Sequence, residues 1–240
     1  MIRNLALSVF ILGTSIGLAA QKQAGAPRQY DPSSEQTYQG VIAGPVAGPA
    51  QKAFLIDRLK AVKEARAAGD TRALLLAVHH PPYSGGGHTG SRQMATDLDD
   101  AFTQAGLAPD AVLSGHAHNY QRFTRHYQAG GLAMDIPYVV AGHGGHGLTP
   151  IKPHRDRSQV MTPLAGTDGD VSLRQYYNGY GYVTVTVTRH VLTIDCYAVH
   201  PQPSEQPLDS VTVNLQEHRI TDETKPLEHP LPGESGSSSD

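Results

Sequence analysis

An α/β layered fold is what this sequence predicts, on three observations. An apolar run at residues 73–78 and a short strand at 110–114 alternate with two amphipathic helical patterns. Stretches of alternating polarity after residue 120 read as antiparallel strands. Histidines stand at or just past the carboxyl ends of three of the predicted strands, where layered α/β folds gather their ligands.

From the amino end, Arg3 precedes an apolar stretch over residues 5–20, with cleavage points at Ala20 or within Ala24-Gly25-Ala26. The stretch is shorter than the ~20 residues of a spanning helix, so residues 1–26 read as a secretory signal peptide. That predicts a secreted or periplasmic protein, with an uncleaved membrane anchor as the alternative. Residues 27–50 are rich in Gly, Pro, Ala and Gln without a period, as in a linker. Leu55, Ile56, Leu59, Val62 and Ala65 share one face, which predicts a helix over 51–68 stopped by Gly69. Residues 73–78 are continuously apolar, as in a strand buried on both faces.

Beyond a loop over 80–92, Met94, Leu98, Ala101, Phe102 and Ala105 predict a second helix over 93–105, closed by Gly106. Strands follow at 110–114, 120–127 and 135–141, the last two divided by Gly130-Gly131. Residues 142–170 form a long stretch without a period, a length that points to a functional or disordered loop. Residues 180–188 and 191–199 alternate around Arg189-His190 and predict an antiparallel hairpin. The domain is thus expected over 51–215, and the polar composition of 216–240, ending GESGSSSD, predicts a disordered tail.

A net charge of −3 gives no general attraction to nucleic acid or an anionic membrane. The single cysteine, Cys196, excludes an intrachain disulfide, so a metal site has to use His, Asp, Asn or water. The histidines are the natural donors. His79 ends the first buried strand, His116 and His118 follow the second in SGHAHNYQR, and His143 and His146 follow the third. A neutral imidazole suits Zn, Fe, Mn or Ni. His88, across the Gly85-Gly86-Gly87 loop, stands where a general acid near its unperturbed pKa could reach a substrate. Solvated loop histidines are the plainer reading of each motif alone.

Together, VHHPPYSGGGHTGS and LSGHAHNYQR resemble the carboxyl-terminal half of calcineurin-like metallophosphoesterases, in their purple acid phosphatase-like branch. IPYVVAGHGGH and YGYVTVTV continue the resemblance, which runs from about residue 50 to 200. It implies an incomplete layered metallophosphoesterase-type β-sandwich flanked by helices, and hydrolysis of phosphate esters by metal-activated hydroxide. By that resemblance His79 and His116 bind one metal ion and His118 the other. His88 contacts the phosphate or protonates the leaving group, and Asn119, Tyr120 and Arg122 lie near the substrate. His143 is a further candidate, whereas His80 matches a non-ligand position. The family holds two ions, divalent or trivalent, drawn from Fe, Zn and Mn.

The family's carboxylate ligands come from Asp-x-His, Gly-Asp-x-x-Asp/Tyr and Gly-Asn-His-Asp/Glu motifs. No aspartate here is followed two residues later by histidine, and no asparagine directly by histidine. After Gly69-Asp70 and Gly169-Asp170, the ligand position holds Ala73 and Leu173. The expectation is at most one bound ion, impaired activity, and an exposed edge at 73–78 open to a complementing chain or to self-association. Internal deletion, a second chain carrying the other half, and a surviving remnant each account for the pattern. The alternative function is a non-catalytic histidine metal-binding remnant or assembly partner. A carbohydrate- or surface-binding β-rich module is a third, and it needs none of these histidines.

Overall fold

The computed structural model describes residues 48–151, 171–200 and 202–225, together with the backbone of 8–12. In chain order the elements are β1 (Ser8–Leu12), α1 (Gly48–Ala67), β2 (Leu74–Val78), β3 (Gly85–Gly86), β4 (His88–Thr89), α2 (Arg92–Ala105), β5 (Ala111–Ser114), β6 (Tyr120–Ala129), β7 (Leu132–Ala141), β8 (Val171–Tyr177), β9 (Tyr180–Val187), β10 (Val191–His200), β11 (Asp209–Asn214) and β12 (Arg219–Glu223). They build a six-stranded sheet in the order β1-β2-β5-β7-β6-β8, a four-stranded sheet in the order β12-β11-β10-β9, and the small β3-β4 hairpin. The predicted α/β two-sheet architecture is what the chain adopts.

β2, β5 and β7 are parallel neighbours, with Leu75 opposite Ala111 and Val112 opposite Tyr138. Their apolar runs are buried on both faces, as parallel strands require. Leu74, Leu76 and Val78 face the helices, where Leu55 and Leu59 of α1 and Met94, Leu98 and Phe102 of α2 close the first core. Ala73 and Leu75 face the second sheet, where Leu192, Ile194, Cys196, Val211 and Val213 close the other. Both helices join the first core and neither joins the second.

Local chemistry sets the boundaries. Ser91 caps α2 by accepting from the Met94 N–H at 3.1 Å, and Gly106 ends it with φ 62, donating to Phe102 and Thr103 carbonyls. β6 and β7 meet at Gly130-Gly131 and pair antiparallel over their whole length. β10 buries Leu192, Ile194 and Cys196, while the intervening Thr193 bonds Thr212 at 3.1 Å.

Three features differ from expectation. The apolar stretch read as a signal peptide contributes Ser8–Leu12 as a parallel partner of β2, so that edge of β2 is paired. β8, in residues 171–177, where no element is expected between the irregular stretch and the hairpin, pairs antiparallel with β6. Residues 216–225, expected in the tail, include β12 against β11. Most of the expected signal and linker, residues 152–170 and residues 226–240 lie outside the described residues. Among the described residues no helix is long and apolar enough to cross a membrane.

Charged pairs tie β12 to the rest. Burial alone would raise the Glu223 carboxyl, but hydrogen bonds from Arg174 and Arg122 hold it below its ordinary value. Asp135 is likewise depressed, against the opposing effect of burial, by bonds from His126, the Ile220 N–H and Arg219. A carboxyl with a depressed folded pKa stabilises the fold above its unfolded pKa of ~3.9–4.3, and that contribution is lost as pH falls through the folded value. The urea midpoint is therefore expected to hold from about pH 7 to 5 and to decline below about pH 4, less steeply in Glu223→Gln. An unchanged acid slope in that variant would contradict the assignment.

Candidate metal site

β2, β5 and β7 run parallel and end at one side of the sheet, and the loops beyond them carry the histidines. β2 ends at Val78, so His79 and His80 sit in a bend before Pro81. β5 ends at Ser114, and the Gly115 N–H donates to the His79 carbonyl at 3.1 Å, stitching the two loops together. His116 then adopts φ 64, a left-handed conformation that costs a residue with a Cβ ~1–2 kcal/mol. Such strain is held by its surroundings and is frequent at functional sites.

The result brings His116 Nδ1 to 3.3 Å from His79 Nε2. Bonds of about 2.0–2.1 Å place two nitrogens of a tetrahedral zinc roughly 3.3 Å apart, so this pair has the spacing of two ligands. His79, His80 and His116 offer ligand atoms all within 4.8 Å of one another. Burial, with the neighbouring imidazoles adding, pushes His116 down to about 3 and His80 down to about 4. Both rings are therefore neutral near pH 7, the form that binds a metal. His80 Nδ1 is buried with no hydrogen-bond partner among the described residues. A cation fits this set of donors.

His88 faces the same cluster, its ring centroid 4.5 Å from that of His116 and 5.8 Å from that of His118. Its loop is held from β6. Gln121 Oε1 accepts from the Gly85 N–H at 2.6 Å, and Gln121 Nε2 donates to the Gly86 carbonyl at 3.0 Å. Asn119 Nδ2 donates to the carbonyls of Gly86 at 3.2 Å and Thr149 at 2.8 Å. Gly87 sits at φ +87, and a Cβ there would meet Asn119 Nδ2 and the Thr149 carbonyl at 2.6 Å. Glycine is thus required for the loop to lie this close to the clamp.

His118 stands beside a second partner. Its Nδ1 is 2.9 Å from the Gly147 carbonyl and 3.2 Å from His146 Nδ1. A carbonyl only accepts, so Nδ1 carries the proton and Nε2 keeps the lone pair, the arrangement of a ligating histidine oriented from behind. Among the described residues, however, the one group of three or more metal-ligating side chains is the His79, His80 and His116 set. The donors at His118 do not complete a second ion site.

The remaining predicted residues go elsewhere. Tyr120 and Arg122 alternate with Asn119 and Gln121, and their side chains enter the layer between the sheets. Arg122 makes two bonds to Asp209, at 2.7 and 2.9 Å, and one to Glu223 at 2.7 Å. Tyr120 donates to Asp209 at 2.6 Å. Arg122 and Tyr120 join the sheets and are not brought to the histidines. Asn119 is beside the site as a clamp. His143 is buried with Nε2 3.5 Å from Cys196 Sγ, and burial holds its imidazole down to about 4 and the thiol up to about 12. It belongs to the same layer. The sequence reading passed over His80 and gave His146 little place. Their signals were the doubled histidine before Pro81 and the glycines around 144–147.

No protein-family model matches this chain, and no curated protein matches it. Solved structures similar to it include PhoD, at 15% identity and a TM-score of 0.47, covering 78% of this chain and 37% of that one. Another is GAP50, the anchor in the inner membrane complex of Plasmodium, at 12% identity and a TM-score of 0.38, covering 82% of this chain and 48% of that one. The chain spans less than half the length of either structure.

Proposed function

We propose that this chain is a metal-dependent hydrolase acting on phosphate esters, with one divalent ion held by His79 and His116. The observation that carries it is the 3.3 Å approach of those two imidazoles, from the ends of adjacent parallel strands, with His88 facing them. The motif resemblance supplies the substrate class. An ion in this position supplies Lewis acidity and lowers the pKa of a coordinated water. His88, held by the Gln121 and Asn119 clamp, donates a proton to the departing alkoxide or orients the phosphate. His118, oriented by the Gly147 carbonyl, stands beside His88 with ring centroids 5.8 Å apart. The all-imidazole composition of the donor set favours a second reading, a histidine metal-binding module without turnover. A complementing chain that brings carboxylates would convert one into the other.

Turnover of an aryl phosphate with added Zn, Mn or Fe tests the choice. Slow turnover is expected, and His79→Ala should remove it. His88→Ala should slow an alkyl phosphate by ~10²–10⁴-fold and an aryl phosphate far less, because a good leaving group needs little protonation. Equal losses on both substrates would remove the acid role from His88. Absence of any turnover, alongside intact ion binding, would decide for the binding module.

A further inference from the structure

We propose that His80 is the third ligand of the cation held by His79 and His116, an imidazole standing where a carboxylate would otherwise complete the coordination. This rests on the reading that His79 and His116 bind the ion. In a strand, adjacent side chains point to opposite faces and cannot converge. Here β2 has ended at Val78, and residues 79–80 bend. The bend brings the rings of His79 and His80 to 5.0 Å, and that of His80 to 4.2 Å from His116. His80 is buried, 6% exposed, and its Nδ1 has no partner among the described residues. Leaving a buried polar atom unpaired costs stability, and such atoms in folded proteins call for a specific explanation. A cation in the triad supplies it.

The three donor atoms lie within 4.8 Å, wider than the roughly 3.3 Å that tetrahedral bonds of about 2.0–2.1 Å dictate, so binding draws His80 inward. A site of three neutral imidazoles leaves the ion's full charge uncompensated and one position open, as in catalytic zinc centres. It favours Zn, Co, Ni and Cu over Mg and Ca, which prefer oxygen donors.

The test titrates zinc, with a chromophoric chelator as competitor, into the full chain and into His80→Gln, His79→Ala and His116→Gly. Cobalt(II) spectra are recorded on each. The expected result is a loss of at least about 10-fold in zinc affinity in His80→Gln, of the order seen even for outer-shell partners. The intense tetrahedral cobalt bands should weaken with it, and magnesium should not displace zinc. In the unsubstituted chain, long-range ¹H–¹⁵N spectra should show three imidazoles shifted by one equivalent of zinc, His80 among them. That measurement decides even where His80→Gln fails to fold. Two shifted imidazoles, with His80→Gln binding normally while His79→Ala and His116→Gly lose zinc, would overturn the role of His80 alone. Unchanged affinity in all three variants would overturn the metal site itself.

Discussion

Asp209→Ala is expected to lower the stability of the chain by about 3–5 kcal/mol, the cost of breaking a buried ion pair from one side. Arg122 has no accessible side-chain surface, and Asp209 only 3%. The aspartate meets Nε and Nη2 together and also accepts the Tyr120 hydroxyl. Removing it leaves the guanidinium with Glu223 as its remaining carboxylate partner and takes the acceptor from the Tyr120 hydroxyl, between two sheets. Against the ~5–15 kcal/mol of an ordinary domain, that is a large share. Arg122→Met combined with Asp209→Leu should recover much of the loss, because an apolar pair of similar volume carries no unpaired charge. Urea denaturation of both variants checks this. A loss below about 1 kcal/mol in Asp209→Ala would show that the pair does not hold the sheets together.

The same pair explains where sequence reasoning stopped. Tyr120 and Arg122 follow His116 and His118 closely in the chain, and the family resemblance implied a place near the substrate. Their partners are Asp209 and Glu223, as much as 101 residues away, and no local pattern announces them. Strand parity then sends 120 and 122 toward the second sheet and 119 and 121 toward the loop of His88. β12 was illegible for a related reason. Its sequence, RITDE, is polar, and it is a strand because Arg219 bonds Asp135 and Glu223 bonds Arg122 and Arg174. β8, VSLRQYY, lacks clean alternation and exists through its pairing with β6.

What was legible was local. α2 declared itself through five apolar positions on one face and Gly106 after it. The strand β2 was a continuous apolar run and β5 a short strand after α2, and their ends fixed the positions of His79 and His116. His80 was legible as a residue but not as a donor, since it matches a non-ligand position of the resembled family. Only the bend before Pro81 brings it to His79 and His116.

The other large effect is at His116. His116→Gly should reduce ion affinity by more than the roughly 100-fold that loss of an outer-shell partner can cost, because it deletes a ligand. It should leave the metal-free chain within about 1 kcal/mol of the parent, since glycine accepts the φ of 64 that strains histidine, offsetting its greater entropy when unfolded. Function and fold therefore separate at this one residue. Elemental analysis after dialysis against zinc, on the parent chain and on folded His116→Gly, tests the central claim most directly. The account predicts one zinc per parent chain and none in the variant. Two tightly held ions in the parent, or equal retention by the variant, would contradict it.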